Sequence, residues 1–192
     1  MNRELLPLHL SLARDAEINL GDLVLRPFTF SDRDAFYQLL SVDPPLPFIQ
    51  PRIESLEEAE QILVSSFLYS PLGKWAIVRE SDRVVLGSIQ LEKIDVSGLR
   101  AEIGYFLGRD FWGRGIMTHV LTAIISLAFQ SWGMKELLLI THLDNRASQR
   151  VAEKAGFQLL RQYKGSDRHS HKVTQFRDYT INKEVFNKIN RK

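Results

Sequence analysis

The spacing of apolar positions changes several times along the chain, and each change marks an element. Leu23-Val-Leu25 reads as a short strand that stops at Arg26-Pro27, because proline removes a ladder donor. Ser31 offers an N-cap for a helix carrying Phe36, Leu39 and Leu40. Pro44, Pro45, Pro47 and Pro51 forbid regular helix over residues 43–51 and predict a stiff loop. Ser55-Leu-Glu-Glu58 is a capping-box pattern that opens a helix to about Tyr69, with Leu56, Ala59, Ile62, Leu63 and Phe67 near helical spacing. From Lys74 the pattern turns to strands. Residues 75–78 and 84–91 are joined by 80–83 in the manner of a hairpin, and a third strand over 101–107 follows Gly98.

Three strands in a row without a helix between them imply an antiparallel meander and exclude a purely doubly wound parallel sheet. The helical period returns over residues 115–132, where Ile116, Val120, Ile124, Leu127 and Ala128 share a stripe and Gly133 supplies a stop. Leu137-Leu-Leu-Ile140 is a fully apolar run, the pattern of a central strand buried on both faces and paired in parallel after a crossover helix. Asn145 caps a short helix ending at Ala155-Gly156, Phe157 starts a further strand, and residues 172–181 alternate into a last one. The order β, α, α, βββ, α, β, α, ββ predicts a mixed α/β fold of the α+β kind with a largely antiparallel sheet. No repeat or low-complexity tract interrupts it.

With 192 residues, 44% of them hydrophobic, the chain carries the apolar material for one ordinary core, so a single domain over residues 1–192 is expected. Residues 1–20 read as an N-terminal extension of unassigned structure and 183–192 as a basic tail. The net charge of +2 divides into +6 over residues 161–192 and −4 elsewhere. These basic residues are spread along a strand and tail rather than gathered into a stripe interleaved with aromatics, so nucleic acid is not an expected partner. Zero cysteines remove disulfides, thiolate metal sites and a cysteine nucleophile together, and are compatible with a reducing cytoplasm. Glu4, Pro7 and His9 interrupt the first leucines, no small-residue cleavage site follows, and nothing approaches the ~20 apolar residues of a membrane span.

The most informative block is Leu107-Gly-Arg-Asp-Phe-Trp-Gly-Arg-Gly-Ile-Met117, a strand end followed by glycines and then an amphipathic helix. Glycines at 113 and 115 let backbone N–H groups turn toward an anion, and the helix dipole adds positive potential at the same point. Arg109 and Arg114 add formal charge. The same block also reads as a tight strand-to-helix turn that simply needs glycine. No G-x-G-x-x-G is present, so a dinucleotide fingerprint is not supported. His169 and His171 share one face of a presumed hairpin with no third ligand in sight, so they read as surface histidines and no metal is expected. Trp75, Phe111 and Trp112 read as core or cofactor-rim aromatics.

Trp112-Gly-Arg-Gly-Ile-Met117 resembles the phosphate turn of the GNAT superfamily of N-acetyltransferases, Arg/Gln-x-x-Gly-x-Gly/Ala, with Trp112 and Met117 departing from the general pattern. Asn145-Arg-Ala-Ser148 followed by Glu153-Lys-Ala-Gly-Phe157 is similar to the ending found in the branch that acetylates ribosomal-protein serine or alanine N-termini. Leu25-Arg-Pro27 and Ala101-Glu-Ile-Gly-Tyr105 extend the likeness over about residues 23–163. The resemblance implies a bent sheet with two strands splaying to admit acetyl-CoA. It also implies a cofactor-binding set of Phe106, Leu107, Trp112, Gly113, Arg114, Gly115, Ile116, Met117, Thr118, Asn145 and Ser148, with the pyrophosphate on residues 113–118.

Acetyl transfer to an amine needs a neutral nucleophile, a polarised thioester carbonyl and a proton for the leaving thiolate. Glu102 is the only acid in the strand that enters the turn, and alternation puts it opposite Ala101, Ile103, Tyr105 and Leu107, with Gly104 and Phe106, where a ligand can approach. It is the candidate base, or else a salt-bridged strand carboxylate. The resemblance implies a backbone N–H near Leu107 for the carbonyl. The tyrosine acid of many relatives is replaced here by Ala152, so the proton falls to Ser148, with Asn145 beside it; helix capping alone also accounts for Asn145. His142 is a second candidate for proton handling. The resemblance thus implies an acetyl-CoA-dependent N-acetyltransferase, monomer or homodimer, acting on a protein N-terminal amine. A small amine such as a polyamine or amino sugar, or a noncatalytic acyl-CoA sensor, is the alternative.

Overall fold

The structure is a computed structural model that describes residues 6–44, 46, 48, 52–167 and 170–190. Its strands are β1 (Ile18–Asn19), β2 (Leu23–Arg26), β3 (Lys74–Arg79), β4 (Val85–Asp95), β5 (Arg100–Leu107), β6 (Glu136–His142), β7 (Gln158–Ser166) and β8 (Val173–Asn182). The helices are α1 (Leu6–Arg14), α2 (Arg33–Leu40), α3 (Leu56–Leu63), α4 (Ile116–Gln130), α5 (Arg146–Lys154) and α6 (Lys183–Ile189). The strands lie in the order β1-β2-β3-β4-β5-β6-β8-β7, a mixed and mostly antiparallel sheet of the class the element pattern predicts. The chain divides into two compact units, and β4 and β5 contribute to both.

The unit of residues 6–90 and 105–116 holds the antiparallel run β1-β2-β3-β4. Its core is aromatic: Phe36 meets Phe28, Phe67 and Phe106 at centroid distances of 5.8, 5.7 and 6.2 Å, three edge-on contacts. Ser31 does not cap the first helix. Residues 30–32 form a 3-10 turn, and the Asp32 carboxylate takes the Thr29 N–H at 2.8 Å while gripping Arg26 through two bonds of 2.7 and 2.8 Å. Ser31 lies inside that turn, and Thr29 takes the extended N-cap position in a capping box with Asp32. Ser55 does cap α3, accepting the Glu58 N–H at 3.1 Å. The helix does not run regularly to Tyr69: residues 64–68 form a π turn, closed by Tyr69 N–H on the Val64 carbonyl, and Phe67 remains buried with Ala59 and Leu63. Of the proline loop, Pro45, Pro47 and Pro51 lie outside the described residues.

Gly87 fixes where β5 ends. A Cβ there would collide with the Phe106 carbonyl oxygen and lie 2.8 Å from the Leu107 Cα, so only glycine lets β4 approach β5 this closely. The Gly108 N–H then donates to the Leu86 carbonyl at 2.8 Å, holding the strand end in place.

The unit of residues 91–104 and 117–192 contains β6, β8 and β7, antiparallel to one another in that order. β5 pairs with β6 in parallel through Arg100–Glu136, Ala101–Leu137 and Glu102–Leu138. That pairing ends at Glu102, although β5 runs on to Leu107 and β6 to His142. α4 buries Met117, Val120, Leu121, Ile124, Ile125, Ala128 and Phe129, leaving Ile116 and Leu127 at the margins of the predicted stripe. β6 is not buried on both faces. Leu137, Leu139 and Thr141 are buried, while Leu138, Ile140 and His142 are half-buried, so one face of an apolar strand stays partly open. Residues 183–189 of the basic tail form α6, capped by Asn182 and packed through Phe186 onto Phe129 at 5.3 Å.

Candidate active site

The turn between β5 and α4 is made by backbone. Phe111 N–H donates to Gly108 at 3.0 Å and Trp112 N–H to Arg109 at 3.1 Å, closing a 3-10 turn. The Trp112 indole N–H donates to the Leu107 carbonyl at 2.7 Å, so this tryptophan stays 43% exposed and ties the strand end to the turn. Gly113 and Gly115 follow with φ of +72° and +78°, left-handed values that favour glycine, and no atom lies within 4 Å of where either Cβ would stand. α4 begins at Ile116 with no acidic residue in its first turn. Open backbone and an uncompensated helix N-terminus are what a phosphate group requires.

The side chains around the turn are sorted by position. Arg109 is committed to the loop, donating to the Pro44 carbonyl at 2.7 Å with its guanidinium 5.8 Å from the Trp112 ring centre, whereas Arg114 is exposed. Met117 is buried in the core stripe of α4, which takes its bulk away from the open backbone of the turn. Thr118 is half-buried, and its carbonyl accepts the Thr122 hydroxyl. Phe106 is not open to a ligand: its ring belongs to the aromatic core, because the face it shares with Glu102 is covered there by Phe36. Leu107 is likewise buried, and its carbonyl accepts the Trp112 indole N–H.

α5 starts on Asn145, whose Oδ1 accepts the Ser148 backbone N–H at 3.1 Å. The Ser148 hydroxyl takes no part in that cap. Gln149, the next residue and one that sequence reasoning passed over, is buried and donates from its amide to the carbonyls of His142 and Leu143 at 3.1 and 2.7 Å. Its own oxygen accepts from Arg177 at 3.0 Å. The first turn of α5 is thereby fixed to the end of β6.

Glu102 sits on the last rung of the β5–β6 pairing, its side chain 11% exposed, with Lys93 Nζ 2.7 Å from Oε2. Across the sheet Arg161 Nε donates to Asp178 at 2.7 Å. Burial first, and then the Asp178 carboxylate, push the Tyr163 hydroxyl above its ordinary pKa, with Glu102 adding to the same direction. Glu102, Lys93, Tyr163 and Asp178 thus share one neighbourhood.

The Asp144 N–H donates to His142 Nδ1 at 3.2 Å, the Asp144 carboxylate lies 3.6 Å from the same nitrogen, and Nε2 meets the Thr174 hydroxyl at 2.6 Å. A cavity of about 300 Å³ beside it is lined by His142, Leu143, Asp144, Lys164 and residues 173–175. His171 lies in the loop between β7 and β8, and His169 lies outside the described residues. Among the described residues no group of three or more His, Cys, Asp or Glu is arranged to hold a metal, and no helix is long and apolar enough to cross a membrane.

Three comparisons bear on this arrangement. Residues 22–158 match the family model described as an acetyltransferase (GNAT) domain. The uncharacterized N-acetyltransferase YoaA of Bacillus subtilis is 30% identical over 150 residues, covering 73% of this chain and 84% of that protein. The ribosomal-protein-serine acetyltransferase of Escherichia coli is 28% identical over 107 residues, covering 55% and 59%. Among solved structures, RimL, a ribosomal L7/L12 alpha-N-protein acetyltransferase in complex with coenzyme A, superposes with a TM-score of 0.73 at 22% identity over 88% of this chain and 99% of that one, a likeness of fold. With a family model matched from before β2 into β7 and an open glycine turn at the head of α4, the chain belongs to the GNAT family and is an N-acetyltransferase that uses acetyl-CoA.

Proposed function

We propose that this enzyme acetylates a protein N-terminal amine by direct attack on the thioester, with Glu102 as base and Ser148 as the group that protonates the leaving thiolate. The observation that carries the reading is Glu102 itself, a mostly buried carboxylate at the end of the β5–β6 pairing that already holds a primary amine at 2.7 Å. Acetyl-CoA supplies an activated acetyl group as its thioester. Gly113, Gly115 and the first N–H groups of α4 hold the pyrophosphate, the Leu107 N–H polarises the carbonyl, and Asn145 with Gln149 holds Ser148 in place. Glu102 accepts the proton that keeps the amine from reacting. The N-terminal acceptor is favoured by the Asn145–Ser148 and Gly156-Phe157 ending and by the Escherichia coli relative. We read the chain as one functional domain working in a reducing cytoplasm, with which the absence of cysteine is compatible.

The test is steady-state release of free thiol from acetyl-CoA with peptides beginning in serine or alanine, their Nα-blocked forms, a polyamine and an amino sugar. Turnover of the free peptides alone is expected. Turnover confined to the small amines would replace the protein acceptor, and thiol release from none of them would leave binding without catalysis.

A further inference from the structure

The geometry points to Lys93 as a site of self-acetylation. An acceptor is useful to this enzyme only if its amine comes within hydrogen-bond reach of the base. Lys93 Nζ already meets that requirement at 2.7 Å from Glu102 Oε2. The two side chains differ in exposure, 63% for Lys93 and 11% for Glu102, so the amine lies at the solvent edge of an inner carboxylate. Neighbouring ion pairs on β5, β6, β7 and β8 do not offer this: Arg100–Glu136 and Arg161–Asp178 hold their carboxylates with guanidinium groups, which do not deprotonate to a nucleophile.

A second observation is independent of the contact. Lys93 lies within β4 with φ at +45°, a left-handed backbone that a non-glycine residue in a strand rarely adopts. Such strain is retained where the surroundings over-determine it and concentrates at functional sites. Here it falls on the residue whose amine meets Glu102.

The inference rests on the reading that Glu102 is the base at the thioester. In the step, Glu102 takes one proton from the Lys93 ammonium, and the freed nitrogen pair forms a bond to the acetyl carbonyl carbon. The C–S bond breaks with its electron pair on sulfur, a second ammonium proton ends on that sulfur, and the third stays on the new amide. The products are acetylated Lys93 and coenzyme A. The modification removes the charge that neutralises Glu102, leaving that carboxylate to an incoming acceptor.

The full chain is incubated with acetyl-CoA and no acceptor, and acetyl gain at each lysine is followed by peptide mass mapping. Lys172 and Lys183, both exposed, report uncatalysed acetylation. Lys93 is expected to gain its acetyl about a hundredfold faster than either, the low end of what a positioned base contributes. Glu102→Gln should bring it down to their rate, and Lys93→Arg should abolish the fast acetyl gain in the intact protein. If Lys93 gains acetyl no faster than Lys172 while peptide turnover still depends on Glu102, the inference falls and the acceptor reading stands. If Glu102→Gln leaves both peptide turnover and Lys93 acetylation unchanged, both fall.

Discussion

The turn of residues 107–116 and the neighbourhood of Glu102 use polar groups in opposite ways. In the turn the groups offered to a ligand are backbone N–H groups, exposed by two left-handed glycines with nothing where their side chains would be. Around Glu102 they are side chains, each tied to another: Glu102 to Lys93, Asp178 to Arg161, Tyr163 pressed between burial and carboxylate charge. A backbone cradle serves one unchanging ligand, because its geometry cannot be altered without remaking the turn. Side-chain pairs can be exchanged one at a time, which suits the part of an acetyltransferase that distinguishes acceptors.

This contrast can be broken most severely at the turn. In Gly115→Glu a side chain must adopt a left-handed backbone and place a carboxylate where a phosphate belongs, so coenzyme A affinity should fall about a hundredfold or more by calorimetry, roughly 2.7 kcal/mol. Unchanged affinity with an intact circular dichroism spectrum would take the phosphate site away from these glycines. Ser148→Ala should sharpen the contrast, lowering kcat roughly 10- to 1000-fold with little change in the KM for acetyl-CoA. Because Asn145 Oδ1 caps α5 by accepting the Ser148 backbone N–H, a bond the alanine keeps, thermal stability should hold. A loss of stability with kcat intact would return Ser148 to a purely structural role.

The same contrast explains what could be read from the chain. Glycines that must adopt positive φ, an asparagine that must cap and a continuous apolar β6 leave local marks, so the turn, the start of α5 and the meander were visible in the sequence. Gly87 left a mark too, a glycine inside an apolar strand run, although its meaning depends on β5 lying against it. Lys93, Asp178 and Gln149 left none. Their roles come from partners 9, 17 and 28 residues away, and a lysine on a strand looks like any solvated charge. The burial of Phe106 and the half-open face of β6 were misread for a related reason: alternation says which residues share a face, while what covers each stretch of that face is decided by tertiary packing. Ser31 is not a cap because the turn of residues 30–32 begins before it, with Thr29 in the extended N-cap position and Asp32 completing its capping box.

The central claim is that Glu102 takes the proton, and the pH profile of Glu102→Gln divided by that of the parent tests it most directly. The α-amine of a peptide has an unperturbed pKa of about 8, so near neutrality most of it is protonated and a base has work to do. At high pH the amine is already free. Over roughly pH 6 to 9.5, bracketing that pKa, the variant's kcat/KM should therefore be depressed about a hundredfold or more at the neutral end and recover toward the parent at the alkaline end. A ratio that stays flat across the range, as a carboxylate serving only to pair Lys93 would give, would contradict Glu102 as the base.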